Sequence, residues 1–418
     1  MSSKINVNVK SEFGELEAVI IHTPGVEVEK MTPQNAQRAL YSDILNLDIL
    51  KWEHAQVSGV LKKVSKAFEV KDLLKKVLEN KKTKELLIKN ICKSEGLEHI
   101  EEELLDTPAT QLADYLIEGK EMSPDSFTNF ISEERFQLYP LYNFYFTRDA
   151  SLSVYNEVFI GKMANKIRER ESLIMEAIFS HSGVFQASTL NPAWYDTKNE
   201  IKIEGGDVLV AREDILLIGS STRTSTQGID FILSRLMALK EKGTQHVLVQ
   251  ELPEHPESFI HLDMVFTLID NGYCVVFDPI ILQRNKYRTI HIVIDNGRIK
   301  SMNYIDNLVV ALKNLGMDLK PLYCGGRGDE WVKEREQWHS GANFFAFAPG
   351  KVMGYARNLY TLEELNNHGF EIVPAFDVMN NKVNINEYKK CVVSIEGSEM
   401  PRGGGGARCM TMPVRRKS

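Results

Sequence analysis

The feature that most constrains the fold of this 418-residue chain is a weak internal repeat. Four segments, TRDASLSVYNEVFIG, EGGDVLVAREDILLIG, HLDMVFTLIDNGYCVVF and HSGANFFAFAPGKVMGY, share one form. A tight polar turn leads into an apolar strand, a reverse turn follows, and a second apolar strand runs back. Asp270-Asn271-Gly272 and Pro349-Gly350 supply the hairpin turns. A fifth segment, GGGGARCMTMPV, keeps the turn and one strand. Helical stretches such as Gly228–Lys240 and Tyr304–Leu315 lie between hairpins. The polar residues at the strand starts, Asp149, Asp207, Asp263, Asn343 and Cys409, recur at roughly sixty-residue intervals with one longer gap, a repeat-array period. The expected fold is α/β: one strand-rich αβ unit repeated around an axis, each strand starting at the centre, with the five polar residues converging on one pocket. A polar residue before a strand is ordinarily only a turn former. Five in series, each with a chemically useful side chain, favour the array.

One block breaks the pattern. GELEAVII, residues 14–21, reads as a strand ending at the turn His22-Thr23-Pro24-Gly25. From about Trp52 to Phe136 the chain turns rich in Lys, Glu and Leu. Val57, Val60, Leu61, Val64 and Phe68 fall on one helical face. Leu73, Leu74, Val77 and Leu78 predict a second helix, Leu86, Leu87 and Ile91 a third, and Thr107-Pro108 a helix start. The expected organisation is residues 1–52 as the first part of the array, 53–138 as an inserted domain of four or five helices, and 139–418 as the remainder.

Composition narrows the function classes. With 43% hydrophobic and 26% charged residues the chain is an ordinary globular one. Net charge is −7, and the basic residues are scattered apart from Arg415-Arg416-Lys417, so no basic field draws nucleic acid. No apolar run approaches a membrane span, and the first residues do not read as a signal peptide. Five widely spaced cysteines, Cys92, Cys274, Cys324, Cys391 and Cys409, with no CxxC pair, argue against a disulfide framework or a zinc site and fit a reducing cytoplasm.

The candidate nucleophile is Cys409. Most cysteines are small buried hydrophobes, which is the default for Cys274 and Cys391. Cys409 differs because four glycines precede it, and glycine lets bare backbone approach a ligand. A free thiol has a pKa of about 8.5 and needs a neighbouring cation or a cationic substrate to ionise. His261 is the candidate acid and base; with Asp263 two residues on at a strand start, both side chains are expected on one face. Glu204-Gly205-Gly206-Asp207 offers two acids, one of which can orient the histidine, or a plain turn. Arg148-Asp149 follows the aromatic run NFYF. Three carboxylates, one histidine and one thiol suit a cationic substrate attacked at an electrophilic carbon, since two aspartates can grip a planar guanidinium by paired charge-assisted hydrogen bonds.

Taken in order, SEFGELEAVIIHTPG, MTPQNAQRALYSDI, NFYFTRD, IEGGDV, HLDMVF, REQWHSGANFFAFAPG and GGGGARCMTMP resemble the arginine deiminases of the guanidino-modifying pentein superfamily over nearly the whole chain. The resemblance implies a five-bladed pseudo-symmetric αβ propeller with an inserted all-α helical domain. It implies that Cys409 attacks the guanidinium carbon of L-arginine, that Asp149 and Asp263 hold the guanidinium nitrogens, and that His261, supported by Glu204, protonates departing ammonia and then activates water. No metal or cofactor is implied. The substrate carboxylate falls to Asn143, Arg168 and Arg223, and Asp207 joins the substrate-binding set. Arg168 and Arg223 each lie nineteen residues after a site acid, Asp149 and Glu204. A relative acting on agmatine, which has no carboxylate, would not need both arginines. A mobile arginine in the glycine loop is either Arg402 or Arg408. The resemblance further implies a homo-oligomer, a dimer or higher; charge and hydropathy leave no nucleic-acid or membrane partner expected, and the cysteines fit a cytoplasmic protein. The alternatives are a dimethylarginine hydrolase, an amidinotransferase, or a non-catalytic arginine-binding protein on the same scaffold.

Overall fold

The structure, a computed structural model, describes residues 4–196, 198–239 and 243–417. Each repeat segment folds as an antiparallel hairpin whose second strand pairs in parallel with a third strand. A parallel pair needs a crossover, and a helix supplies it each time. In the first unit Ser151–Val154 pairs with Glu157–Ile160, then with Ser188–Leu190 after the helix Glu169–His181. The second unit repeats this with Val208–Arg212, Ile215–Ser220 and Gln245–Glu251, crossing through Thr226–Ala238. The third uses Phe266–Asp270, Tyr273–Val276 and Lys320–Tyr323, and the fourth Phe345–Ala348, Lys351–Tyr355 and Cys391–Ile395. The fifth unit joins the two ends of the chain. Met412–Arg416 runs antiparallel to Leu16–Ile21, which pairs in parallel with Lys66–Glu69 across the helix Leu47–Val64. Five such units give the five-bladed αβ propeller.

The strands read as continuous apolar runs because both faces are covered. In Glu157–Ile160 every residue is buried. Val158 and Ile160 pack with Ile174 and Ile178 of their own crossover helix, whereas Phe159 packs with Val208, Val210 and Leu216 of the next unit. Alternate side chains thus bind a blade to its helix and to its neighbour.

Between Val70 and Ile131 five helices occur, Val70–Leu78, Lys81–Glu95, Glu101–Asp106, Ala109–Glu118 and Phe127–Ile131. A stripe of Leu73, Leu74, Val77, Ile88, Ile91, Leu112 and Leu116 shares one core with Ala18, Ile20, Ile174 and Ile178, so the first, second and fourth of these helices sit on the first and fifth units, whereas Phe127–Ile131 buries no side chain.

Some local expectations change. The helix predicted through Phe68 ends at Val64; Ser65 is extended and Phe68 lies on the strand Lys66–Glu69. Leu86 is exposed and Ile88 takes its place in the core. Tyr304 lies on a strand, Arg298–Ile305, and Asn307 caps the helix that starts only at Leu308. That strand and Thr289–Asp295 form an added hairpin on the edge of the second unit. Of the predicted stretch Gly228–Lys240, Lys240 lies outside the described residues. No helix among those described is long and apolar enough to cross a membrane.

Candidate active site

The turns before the first strand of each unit meet at the axis. Asp149, Asp207, Asp263, Asn343 and Cys409 are all buried there, and hydrogen bonds tie each turn to its neighbours. Asp207 Oδ1 accepts from the Leu262 amide (2.9 Å), and its Oδ2 accepts from the Ser221 hydroxyl (2.6 Å). Asn343 Oδ1 accepts from the amides of Arg408 (2.9 Å) and Cys409 (3.3 Å), while its Nδ2 donates to the Asp263 carbonyl (3.1 Å). The Arg148 amide donates to the Cys409 carbonyl (3.1 Å). This lattice presents a cleft of about 810 Å³, counting its open mouth. Asp149, His261, Met264 and Cys409 lie at its base with Asn143, Arg168 and Arg223. Its rim carries Leu40–Ser42, Glu257, Trp338 and residues 401–405.

Two glycines have identifiable jobs. Gly206 lies so close to the His261 ring that a Cβ there would sit 2.4 Å from Nδ1. Gly404 has φ +87°, where an L side chain is strained, and turns the loop into the cleft.

His261 Nε2 is 3.0 Å from Glu204 Oε2, and Nδ1 is 3.8 Å from Asp149 Oδ1. Burial works against the imidazolium, but Asp149, Glu204 and Asp207 outweigh it and raise the ring to about 9. Glu204 is itself fully buried. That burial favours its neutral form, yet Arg223 at 3.6 Å and His261 hold its pKa well below the usual carboxylate range. Asp149, Glu204 and His261 bring ligand-type atoms within 4.8 Å of one another. A metal there would have to displace the proton that the same acids hold on the ring.

Asp263 stands behind the thiol, with Oδ2 3.9 Å from Cys409 Sγ and 2.7 Å from Arg408 Nη1. Arg408 also forks onto Glu12, through Nε (2.9 Å) and Nη2 (3.1 Å). Burial raises Asp263 despite Arg408, and holds Glu12 back from falling below about 2 under the pull of Arg408 and Arg148. Burial, then Asp263 and Asp149, push the Cys409 thiol well above its ordinary value. All five cysteines are buried and free, and of these only Cys409 lines the cleft. Asp149 Oδ1 and Asp263 Oδ1 are buried without a hydrogen-bond partner among the described residues.

Residues 37–416 match the family pattern described as arginine deiminase. The chain belongs to the arginine deiminase family. The arginine deiminase of Oenococcus oeni is 31% identical over 435 residues, covering 100% of this chain and 99% of its own. That of Bacillus cereus is 33% identical over 433 residues, covering 98% of each. Among solved structures, SxtG, an amidinotransferase from Microseira wollei, superposes with a TM-score of 0.53 at 14% identity over 99% of this chain and 98% of its own. A dimethylarginine dimethylaminohydrolase gives a TM-score of 0.50 at 12% identity over 95% and 99%. These two establish the fold, the pentein propeller.

Within this family member the expected residues divide. Cys409, His261, Asp149, Asn143, Arg168, Arg223 and Arg402 line the cleft. Glu204 reaches it through His261, and Asp263 lies against Cys409. Asp207, Asn343 and Arg408 do not line it: the first two fasten turns, and the third bridges Glu12 to Asp263. The five strand-start residues therefore meet at the axis without all facing one pocket. Nor do His261 and Asp263 share a face. Residues Leu262–Met264 form a 3-10 turn rather than a strand, so His261 reaches Glu204 and Asp263 reaches Arg408. Sequence reasoning missed Glu12 and Glu171. Glu171 takes Arg168 in a two-pronged ion pair (3.0 and 2.8 Å), and its position three residues after Arg168 on a helix start was the available signal.

Proposed function

We propose that this chain hydrolyses L-arginine to L-citrulline and ammonia through a covalent intermediate on Cys409. The observation that carries the reading is the pair of buried carboxylates, Asp149 and Asp263, beside one thiol, each with an oxygen that accepts no hydrogen bond among the described residues. Such oxygens are costly to leave unpaired, and a planar guanidinium supplies charge and N–H donors to both. Burial does most to hold the thiol protonated, and the two carboxylates add to it; a bound guanidinium offsets their charge, so the substrate promotes ionisation of its own nucleophile.

The thiolate adds to the guanidinium carbon, forming a C–S bond. His261, an imidazolium near neutral pH, gives its proton to a terminal nitrogen; the C–N bond breaks and ammonia leaves. The thiouronium carbon then takes a water oxygen as the neutral imidazole takes the water's proton. Collapse breaks the C–S bond and passes the new hydroxyl's proton to sulfur, releasing citrulline. Glu204 orients His261 throughout.

For the substrate carboxylate, Arg223 is the freer partner, because Arg168 already pairs with Glu171 and Asp149. Arg408 is locked between two buried acids, whereas Arg402 stands half-exposed at the rim, tied to Asp43 and Glu399 (2.7 Å). Arg402 is therefore the arginine that closes over substrate. The same reading makes the protein a cytoplasmic homo-oligomer; a sedimentation mass of one chain would remove the oligomer. The test is citrulline release with arginine, agmatine and methylated arginines in parallel. Arginine is expected to be turned over far faster than agmatine or the methylated arginines. Faster turnover of methylated arginines, or amidino transfer without citrulline, would favour the other guanidino enzymes.

A further inference from the structure

Glu53 lies mid-way along the helix Leu47–Val64, on the stripe of Leu50, Val57, Val60 and Leu61 that faces the core, and it is fully buried. A helix serving only to pack would carry an apolar residue there. Both oxygens of Glu53 are spent on one short stretch of distant chain. They accept from the amides of Ser398, Glu399 (3.1 Å to each oxygen) and Met400 (2.8 Å), and from the Ser398 hydroxyl (2.7 Å). Three successive amides converging on one carboxylate form an anion nest supplied from within the protein. One turn along the same helix, Gln56 Oε1 accepts from the Glu396 amide (3.0 Å). Glu399 in turn accepts from the Asn46 amide (2.8 Å) and from Arg402 Nη1 (2.7 Å). The stretch 396–400 is thus fastened to one helix face, and the chain leaves that fastening directly into the glycine loop.

We propose that Glu53 is a positioning residue that fixes the near end of this loop and so delivers Arg402 over the cleft. The proposal rests on the reading of Arg402 as the residue that closes on arginine. Charge-assisted bonds to three amides are the strong kind, and Glu53→Gln replaces one acceptor with an NH2 that faces N–H groups. In Glu53→Gln the KM for arginine rises about tenfold with kcat within about threefold of wild type, the pattern of lost binding rather than lost chemistry. If Glu53 acts through Arg402, Glu53→Gln added to Arg402→Ala leaves KM within about twofold of Arg402→Ala alone. An unchanged KM, a fall in kcat alone, or additive effects would overturn the proposal. Should Glu53→Gln fail to fold, Ser398→Ala removes one donor and raises KM about threefold; no change there overturns it equally. A readout independent of turnover is tryptic cleavage after Arg402, expected to be about tenfold faster in Glu53→Gln because the loop opens locally; equal cleavage contradicts the anchor. Lack of citrulline from the wild type would sink the deiminase reading, while an active wild type with an unaltered Glu53→Gln variant would sink this inference alone.

Discussion

The base and the rim of the cleft carry the same residue types, arginines and acids, yet are built in opposite ways. Beneath the base, behind Asp263, Arg408 is fully buried and is held by both Glu12 and Asp263. At the rim Arg402 leaves its bonds to Asp43 and Glu399 half in solvent. Buried ion pairs of this kind give fixed geometry, because removing one partner strands a charge. Exposed pairs hold weakly and can exchange partners. The division suits a site that needs a rigid reaction centre under a movable entrance.

The sharpest way to break this contrast is at its centre. Cys409→Ala is expected to lower citrulline formation at least about 10⁴-fold while leaving the fold intact; near-normal turnover with an intact circular dichroism spectrum would remove the nucleophile from the base. The next largest effect is on stability. Arg408→Ala leaves Glu12 and Asp263 buried without their cation and should cost about 3–5 kcal/mol in urea unfolding. The same substitution at Arg402 should leave the midpoint unmoved. Equal losses at the two positions would erase the distinction.

Arg223 also stands at the base but is less deeply buried than Arg168. Its change to alanine should raise the KM for arginine about thirtyfold, the worth of one charge-assisted contact, and change agmatine turnover less than about threefold. Kinetics with both substrates decide this, and a parallel loss would place Arg223 in the support of Glu204 instead. The smallest effect is a shift in pH dependence. His261 is raised from 6.5 to about 9, so its charged form contributes stability fully below pH 6.5 and loses it as pH rises through 9. The alkaline limb of kcat/KM, which reports the free enzyme, should fall near the same value. Glu204→Gln removes one of the anions that raise the ring, so the limb should move toward neutrality; a limb that stays in place argues against the Glu204 contact.

Much of this was legible in the chain. The hairpins announced themselves because their strands are buried on both faces and therefore read as unbroken apolar runs between polar turns. Phe68 misled because the helical spacing from Val57 continues across Ser65, where the backbone becomes extended to join Leu16–Ile21. Tyr304 misled because the hairpin formed by Thr289–Asp295 and Arg298–Ile305 is grafted between units and has no counterpart in the other repeats. In the site, Cys409, His261 and Asp149 could be found from their turns. The bracing could not. Arg408 meets Glu12 across nearly the whole chain, and Glu53 meets residues 398–400 the same way, pairings that leave no local spacing to read. Asp207 and Asn343 occupy repeat positions that look catalytic, and only the fold shows their oxygens turned to neighbouring amides.

The central claim, covalent capture of a guanidinium by Cys409 at a rigid base, is tested most directly by acid-quenching enzyme during arginine turnover and weighing the intact chain. A species heavier by arginine less ammonia is expected in the wild type, carried on the peptide containing Cys409 and missing from Cys409→Ala. Steady citrulline production with no such species, or the same added mass on Cys409→Ala, would contradict it.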